Sequence, residues 1–517
     1  MNILFITADQ WRGECLSVTG HPIVKTPNLD ALAADGVTFK HHYGQATPCG
    51  PSRVSMYTGM YLHNHRSLLN GTPLESRHTN VALEARKVGY QPVLFGYTDV
   101  GLDPLNQEIV DDYEGVLPGM DAICHLNSKR LLWRNYLNNK GYEFALNGGQ
   151  LFSQQEDYPG EENKGQTYAP VNYKAEDSPA AFLVGEAIDY IENQQQKPWF
   201  AHVSFLSPHP PFVAPEPYHA MFNAADMPLP IRRPTWQDEA KQHPWLDYYL
   251  THETAAARFT TRPETCDRLD LPDQELQQIK ATYYGMIAEV DAQIGRLIEH
   301  LKQANIYDDT LIIFTSDHGE NMGDHYAHSK YTYFEETFHV PLIIRDPSNS
   351  ANATRGNIVK SFTEAVDLMP TMLDSIGAEI PHQCDGASLL VFTRSDQPIK
   401  WRSEAHMEFD MRSPYDGIGA PPLGLDMNQC MVNIIRDERY KYVHFTTLPP
   451  LLFDLKNDPN EFTNLVNLPE YQNVVTQYAS KLLSWRMEND DRALTDMHLT
   501  SNGGVETGMR AQRAGGS

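Results

Sequence analysis

The sequence predicts an α/β protein built on a large, mainly parallel β-sheet that is flanked by helices and joined by a smaller C-terminal α+β domain. Short apolar runs alternate with helical patterns through most of the chain, and this alternation is typical of parallel sheets that are covered on both faces. The chain has 517 residues, of which 41% are hydrophobic and 21% charged. It is therefore long enough for one large core and a second, smaller unit.

The elements are predicted in chain order from hydrophobic runs and from helix end signals. Residues 3–8 are apolar and too short for a helix, so they predict a buried strand. A helix follows, with Thr26 at the N-cap position, Pro27 at the first helical position and Gly36 at the end. The same reasoning predicts helices over 81–88, 178–195, 274–303 and 367–376, and strands over 91–96, 199–205, 310–316 and 340–345.

The pattern changes near residue 390, which divides the chain into a large α/β domain, residues 1–390, and a small α+β domain, residues 391–500. In the second domain, apolar runs on either side of residues 436–439 predict an antiparallel hairpin, and residues 470–486 predict an amphipathic helix. The tail, residues 501–517, is expected to be either disordered or an arm exchanged between subunits.

Two long segments of the first domain, residues 105–175 and 209–270, are rich in residues typical of loops. They predict insertions over the edge of the sheet, where α/β enzymes hold substrates. Aromatic side chains of the second insertion either wall an aryl pocket or only anchor the segment. These side chains are Trp236, Trp245, Tyr248 and Tyr249.

Charge and cysteine content exclude several functional classes. The chain has 41 Lys and Arg against 67 Asp and Glu, which gives a net charge of −26. Such a surface repels nucleic acid and anionic membranes, so we expect neither as a partner. The sequence shows neither a long apolar stretch nor a basic leader, and its six cysteines are scattered without paired spacing. We expect a soluble, cytoplasmic protein.

Polar residues follow four of the predicted strands at the point where each strand ends. Asp9 follows the first strand, Asp99 lies just after the second, His209 comes after the third, and Asp317 and His318 follow the fourth. Because ligands bind beyond the carboxyl ends of parallel strands, these side chains are expected to meet in one crevice. Asp9, Asp317 and His318 form a suitable donor set for a divalent cation. The alternative is that each aspartate is a helix N-cap.

Cys49 is predicted to lie at the N-terminus of a short helix, whose limits are marked by Pro51 near the start and Gly59 at the end. A helix N-terminus lowers the pKa of a thiol and stabilises negative charge on a neighbouring atom. Arg53 lies one turn along the same face, within reach of the group at position 49. The alternative is a buried structural cysteine, which is the commoner situation.

The residues around Cys49 resemble the signature of the sulfatase family, within the alkaline phosphatase superfamily. The motif Cys-X-Pro-Ser-Arg spans residues 49–53 and is followed by Thr-Gly at residues 58–59. Residues 63–67 and 70–74 are similar to those of phosphonate monoester hydrolase-type arylsulfatases. Residues 2–9 resemble the family's first strand with its metal-binding acid, and residues 26–30 resemble the segment that follows it. Residues 315–325 are similar to the family's second metal-binding element. The resemblance implies an alkaline phosphatase-like sandwich.

The resemblance implies one divalent cation, Mn²⁺ or Ca²⁺, bound by Asp9, Asp317, His318 and the modified Cys49. It also implies that a formylglycine-generating or equivalent maturation enzyme oxidises Cys49 to formylglycine. Many sulfatases have a second acid after the first, whereas this chain has Gln10, and His318 stands where others have asparagine. A neutral amide and an imidazole reduce the negative charge of the site and favour a transition-metal ion.

The resemblance also implies which residues act on the substrate. Arg53 would orient the formylglycine hydrate, and His209 or Lys330 would protonate the leaving oxygen. The substrate-binding positions correspond to Asn70, Tyr97 and Asp99, the last of which replaces a hydroxyl residue of the subgroup. The alternatives are that Tyr97 only packs and that Lys330 is a surface charge.

These inferences lead to the hypothesis of a metal- and formylglycine-dependent hydrolase of small anionic esters. We expect an arylsulfatase with phosphonate monoesters and phosphodiesters as secondary substrates; the runner-up is phosphonate monoester hydrolysis as the primary activity. A more distant hypothesis is a phosphatase or phosphomutase that uses Ser52 or Thr47 directly, and a non-enzymatic one is a metal-binding scaffold. The long C-terminal segment and the resemblance predict a homo-dimer or tetramer.

Replacing Cys49 by serine tests which nucleophile the protein uses. A serine offers one hydroxyl, whereas a hydrated aldehyde offers two, so Cys49→Ser is expected to lower steady-state kcat by about 1,000-fold or more. The measurement is turnover of an aryl sulfate and an aryl phosphonate monoester by matched preparations. Full activity of Cys49→Ser would instead favour a phosphatase that uses Ser52 or Thr47.

Overall fold

Buried apolar strands form the core of the protein. A computed structural model describes residues 1–106, 115–146, 151–194, 198–252, 269, 271–395, 397, 400–412, 419–491, 497–502 and 504–507. Its strands are β1 Asn2–Ala8, β2 Val37–Tyr43, β3 Ala46–Thr47, β4 Pro73–Leu74, β5 Pro92–Gly96, β6 Gly101–Leu102, β7 Asp121–His125, β8 Phe200–Phe205, β9 Thr310–Thr315, β10 Leu342–Arg345, β11 Asn357–Glu364, β12 Ala405–Asp410, β13 Met431–Arg436, β14 Tyr440–Phe445, β15 Leu451–Asp454, β16 Met497–Leu499 and β17 Val505–Thr507.

The helices alternate with these strands through the first two thirds of the chain, as the sequence predicts. They are α1 Pro27–Ala34, α2 Cys49–Thr58, α3 Leu62–His65, α4 Val81–Lys87, α5 Leu131–Asn139, α6 Pro179–Asn193, α7 Trp236–Ala240, α8 Pro244–His252, α9 Asp273–Gln303, α10 Glu335–Phe338, α11 Leu368–Ser375, α12 Leu390–Arg394 and α13 Gln472–Asn489.

The main sheet contains eight strands within the described residues, in the order β11-β2-β10-β9-β1-β8-β5-β7. All neighbouring strands are parallel except that β10 runs antiparallel to both β9 and β2. The predicted fold, a large and mainly parallel sheet with flanking helices, is therefore confirmed. Strand β1 lies between β8 and β9, so its carboxyl end is central.

Helices cover both faces of this sheet because the side chains of β1 alternate between them. Leu4 and Ile6 belong to one core cluster, together with side chains of α1, α6 and α9. Ile3 and Phe5 belong to a second cluster, with side chains of α2, α4 and α11. Helix α2, which begins at Cys49, is thus packed against the sheet by its own apolar residues.

A second sheet has the order β15-β14-β13-β12-β3 within the described residues. The predicted hairpin is confirmed, since β13 and β14 pair antiparallel on either side of residues 437–439. The predicted C-terminal helix is α13, which runs three residues further than expected, to Asn489. Strand β3, only two residues long, pairs in parallel with β12, so the residues just before Cys49 belong to the C-terminal sheet.

The segments predicted as insertions contribute to the described structure. Strand β7 lies within residues 105–175 and forms the edge of the main sheet beside β5, which the exposed, weakly apolar sequence of β7 did not indicate. Of the second insertion, residues 253–268 and 270 lie outside the described residues. Residues 503 and 508–517 of the predicted tail also lie outside the described residues. Strand β17, which lies in the tail, pairs antiparallel with β16 just before it.

The free cysteines are Cys15, Cys49, Cys124, Cys384 and Cys430, all of them buried; Cys266 lies outside the described residues. Across the described ranges, every helix is too short or too polar to cross a bilayer.

Gly96 closes β5 directly before Tyr97 and has a φ of +113°. A Cβ atom there would lie 2.1 Å from the Ser204 carbonyl oxygen on β8, so Gly96→Ala is expected to lower the free energy of unfolding by about 2–4 kcal/mol. Gly377→Ala is the matched control, because Gly377 has a φ of +69° with no atom within 4 Å of an added Cβ, and it should cost about 1 kcal/mol. Equal losses in urea denaturation would contradict this assignment of Gly96.

Candidate active site

The carboxyl ends of β1 and β9 and the N-terminus of α2 meet at one point. Because β1 and β9 are parallel neighbours in register, Asp9 and Asp317 leave the sheet side by side. His318 follows Asp317, and Cys49 is the first residue of α2. Ligand atoms of these four buried side chains all lie within 4.8 Å of one another, the one such cluster of metal-binding residues in the described parts of the chain. The structure therefore brings together the four predicted metal ligands.

The donor atoms of this cluster fit a divalent cation. Asp9 Oδ1 is buried without a hydrogen-bond partner, which costs free energy unless a bound cation satisfies this oxygen. His318 Nδ1 lies 2.9 Å from the Gly319 carbonyl oxygen, so the Nδ1 proton is donated there and the Nε2 lone pair remains for a ligand. His318 Nε2 is 3.6 Å from Asp9 Oδ1 and 3.3 Å from Cys49 Sγ.

Burial and neighbouring cations set the protonation of these ligands. Burial by itself would raise the pKa of Asp9, but His209, Lys330 and Arg53 more than offset it and hold the pKa well below its usual value. Burial lowers the pKa of His318, despite the opposing effect of Asp317. Asp9 is therefore ionised and His318 neutral at neutral pH, and these are the forms that bind metals.

Arg53 is fully buried between the two carboxylates. Its Nε donates to Asp317 Oδ2 at 2.9 Å, its Nη2 to Asp9 Oδ2 at 3.1 Å and its Nη1 to Ser204 Oγ at 2.9 Å. The guanidinium carbon also lies 4.3 Å from the ring centre of Tyr97. Its Nη1 and Nη2 also donate to the Tyr97 carbonyl and hydroxyl oxygens, at 3.1 Å and 3.2 Å. These hydrogen bonds show that Arg53 holds the two acids in place.

Lys330 is buried, with 4% exposure, which argues against the alternative of a surface charge. Its Nζ donates to Cys49 Sγ and to Gln10 Oε1, each at 2.9 Å. Burial would lower the pKa of Lys330, but the Cys49 sulfur, Asp9 and Asp317 raise it above its usual value. Lys330 is therefore a cation held directly against the group at position 49.

His209 is half-buried and lies close enough to Lys330 and Asp9 for their charges to act on it. Its Nδ1 is 2.7 Å from the Pro210 carbonyl oxygen, and burial together with Lys330 lowers its pKa to about 4. His209 is thus neutral at pH 7 when no anion is bound, whereas Lys330 carries a proton. Of the two predicted proton donors, Lys330 is the one that is charged in the free site.

The predicted substrate-binding residues lie around the N-terminus of α2. Asn70 Oδ1 accepts a hydrogen bond from the Gly50 backbone N–H at 2.8 Å. The Tyr97 hydroxyl donates to Asp9 Oδ2, so Tyr97 does more than pack. Asp99 is only 8% exposed and has a left-handed φ of +51°; its backbone carbonyl borders Gly50. Asn70 and Tyr97, like His209, are half-buried, whereas the four residues of the metal-ligand cluster are buried.

Both hydroxyls considered as alternative nucleophiles donate hydrogen bonds to backbone carbonyls. Ser52 Oγ donates to the Asp317 carbonyl oxygen at 2.5 Å, and Thr47 Oγ1 donates to that of Lys330 at 2.7 Å. Each hydroxyl therefore stabilises a segment that carries a site residue. This arrangement favours Cys49 over Ser52 and Thr47 as the source of the nucleophile.

Two residues of the site were missed in the sequence. Ser204, near the end of β8, holds Arg53, and its position at the carboxyl end of a parallel strand was a usable signal. Glu320 accepts hydrogen bonds from the Gln10 side chain and from the backbone N–H groups of Met322 and Ser329. Only its place two residues after His318 pointed to the site.

The four aromatic side chains named in the second insertion pack into the protein, three of them buried and Trp236 half-buried. Trp245, Tyr248 and Tyr249 belong to a core cluster with the C-terminal sheet, and Trp236 packs against its edge. Trp245 Nε1 donates to the Tyr331 carbonyl oxygen at 3.1 Å. They therefore anchor the segment, which was the second of the two predicted interpretations.

Comparison with known proteins gives one family over most of the chain. The family profile described as Sulfatase matches residues 1–378, and the profile described as N-sulphoglucosamine sulphohydrolase, C-terminal, matches residues 323–488. The multifunctional alkaline phosphatase superfamily protein PehA of Trinickia caryophylli is 41% identical over 513 residues, which are 97% of this chain and 98% of PehA.

Solved structures give the same result. The phosphonate monoester hydrolase of Agrobacterium radiobacter is 42% identical with a TM-score of 0.88, covering 98% of this chain and 99% of that one. The phosphonate monoester hydrolase of Silicibacter pomeroyi is 38% identical with a TM-score of 0.90, at 98% and 99% coverage. These similarities confirm the resemblance that the sequence motifs indicate.

Metal binding to the four-residue cluster predicts a change in stability. Mn²⁺ at 100 times its Kd should stabilise the folded protein by about 2.7 kcal/mol relative to the metal-free form, measured as an increase in melting temperature. Asp9→Asn should reduce this increase, because it weakens the ligand with the unsatisfied oxygen. Asp189→Asn, an exposed acid on α6, is the control and should keep it. A wild-type protein that no divalent cation stabilises would contradict the assignment.

Proposed function

The chain belongs to the sulfatase family, and we propose that this family member is a hydrolase of small monoanionic esters whose preferred substrates are phosphonate monoesters. Sulfate monoesters and phosphodiesters are its further substrates. The observation that carries the proposal is the contact of Cys49 Sγ with Lys330 Nζ at 2.9 Å, next to the cluster of Asp9, Asp317 and His318. The position of the nucleophile, the ammonium group of Lys330 and a set of metal ligands thus lie next to one another.

The charge of the site supports a monoanionic substrate. Arg53 and Lys330 balance Asp9 and Asp317, so a divalent cation adds two positive charges. The buried acids Asp99 and Glu320, which also act on this site, lower that excess when they are ionised. An ionised nucleophile and one singly charged ester are therefore the most negative charge that the site would balance. Sulfate monoesters, phosphonate monoesters and phosphodiesters each carry one negative charge at neutral pH. A phosphate monoester carries nearly two and would leave an uncompensated charge in a buried site.

Asp9, Asp317, His318 and the residue at position 49 would hold the divalent cation. Bound there, the cation would lower the pKa of a hydroxyl and polarise the ester. We propose that Cys49 is matured to formylglycine, whose hydrated aldehyde would supply the nucleophilic hydroxyl. Burial and Asp9 raise the pKa of the Cys49 thiol, contrary to the lowered pKa expected from its helix position, so the unmodified thiol is a poor nucleophile here. The place of Cys49 at the start of α2 still suits a hydroxyl that ionises on a bound cation, because a helix N-terminus favours an anion.

The remaining side chains orient the reacting groups and supply charge. Arg53 fixes Asp9 and Asp317 relative to one another, and Asn70 fixes the first turn of α2 through Gly50. Lys330 donates a hydrogen bond to the nucleophile position or a proton to the leaving oxygen. His209 is neutral in the free site, and a bound anion would raise its pKa and let its Nε2 donate to the ester.

Phosphonate monoesters are preferred in this proposal over the sulfate esters expected from the sequence. The relatives named phosphonate monoester hydrolase in Agrobacterium radiobacter and Silicibacter pomeroyi resemble this chain over nearly its full length. Sulfate and phosphonate esters react through the same geometry at the same nucleophile, so arylsulfatase activity is part of the proposal as a secondary reaction. We further propose that a formylglycine-generating enzyme or its equivalent matures Cys49. We also propose that the protein is a homo-dimer or tetramer and that it is located in the cytoplasm.

Rates on four aryl esters with one leaving group test this proposal. We expect kcat/KM to be highest for para-nitrophenyl phenylphosphonate and measurable for bis-para-nitrophenyl phosphate and para-nitrophenyl sulfate. For para-nitrophenyl phosphate we expect kcat/KM to be about 100-fold lower than for the phenylphosphonate, because of its extra charge. A sulfate ester as the best substrate would favour the arylsulfatase alternative. A phosphate monoester as the best substrate would refute the charge argument.

A further inference from the structure

The loop that carries Lys330 is held by four side chains from three separate parts of the chain. Each of its four consecutive carbonyl oxygens, those of residues 328–331, accepts a side-chain hydrogen bond. The donors, in the order of the carbonyls, are Tyr249 Oη, Asn321 Nδ2, Thr47 Oγ1 and Trp245 Nε1. Side chains rarely serve so many consecutive carbonyls, since most backbone carbonyls are satisfied within secondary structure.

This loop does not hold its own shape by regular secondary structure. Ser329 has a left-handed φ of +65°, which is unfavourable for a residue with a side chain. The Ser329 N–H donates to Glu320 Oε1 at 2.6 Å. The conformation at Lys330 therefore depends on the groups that contact the loop from outside.

Two of the four donors come from helix α8, which is remote in sequence from both Cys49 and Lys330. Trp245 and Tyr249 lie one turn apart on one face of α8, 3% and 2% exposed. Helix α8 also packs against the C-terminal sheet, because the centre of the Trp245 ring lies 6.2 Å from that of Phe409 on β12. Helix α8 is thus fixed between that sheet and the Lys330 loop.

We propose that Trp245 and Tyr249 are positioning residues that set the place of the Lys330 ammonium group in the reaction. They bind the carbonyls of His328 and Tyr331, on either side of Lys330, and so fix the direction in which its side chain leaves the backbone. The inference rests on the proposed function and takes the second of the two roles given there to Lys330, donation of a proton to the leaving oxygen.

Leaving-group dependence distinguishes this role from a purely structural one. If Lys330 stabilises the leaving oxygen, its displacement slows esters of poor leaving groups more than esters of good ones, and the rate falls more steeply with leaving-group pKa. A variant that is only less stable lowers all rates by the same factor. The test measures kcat for a series of aryl phosphonate monoesters, from para-nitrophenyl to phenyl.

Tyr249→Phe removes one hydroxyl and keeps the ring. We expect kcat to fall about tenfold for the phenyl ester and about twofold for the para-nitrophenyl ester. Tyr90→Phe is the matched control, because the Tyr90 hydroxyl also donates to a backbone carbonyl, that of Met1, at 2.7 Å but far from the site; it should keep the wild-type slope. Trp245→Phe is a second, independent variant with the same expected steepening if Tyr249→Phe does not fold.

The decisive arm repeats Tyr249→Phe in a Lys330→Met background. If Tyr249 acts through Lys330, the double variant has the slope of Lys330→Met alone. A Lys330→Met enzyme with a steep slope and a Tyr249→Phe enzyme with the wild-type slope would overturn the inference while the proposed function stands. A wild-type slope in Lys330→Met would instead refute the role of Lys330 in the proposed function, and the inference would fail with it.

Discussion

The buried ion pairs of Arg53 with Asp9 and Asp317 are the interaction on which the site depends. Two carboxylates at the ends of adjacent strands repel each other in a buried environment, and the guanidinium between them, 2.9 Å and 3.1 Å from their oxygens, offsets that repulsion. Removing one partner of such a buried pair typically costs about 3–5 kcal/mol. Arg53 is part of α2, so the same contacts that hold the two acids also fix the helix that begins at Cys49.

The second constraint is that the site is shared between two sheets. Strand β3 pairs with β12 of the C-terminal sheet and leads within two residues to Cys49, and Thr47 on β3 binds the Lys330 carbonyl. The same C-terminal sheet packs against α8, which binds the Lys330 loop from the other side. The C-terminal sheet therefore supports both Cys49 and Lys330, although it supplies neither.

The sequence predicted those parts of the site that depend on local pattern. Asp9 and Asp317 could be placed at one edge of the sheet because buried parallel strands have a short apolar signature. Proline and glycine placed Cys49 at the start of α2, but its role came from the resemblance of residues 49–53 to the sulfatase motif. The burial of Lys330 could not be predicted, since it depends on contacts such as that of Thr47, 283 residues away. The pairing of β3 with β12 was equally hidden, because two residues carry no strand pattern. The neutral state of His209 also follows from burial and from Lys330, neither of which is a property of nearby sequence.

Cys49 is central to the proposed chemistry because it is the precursor of the nucleophile. The most direct measurement is the mass of the peptide that contains Cys49, from protein produced together with a formylglycine-generating enzyme and shown to be active. We predict that the thiol has been replaced by an aldehyde or its hydrate. An unmodified thiol at Cys49 in fully active protein would contradict this role.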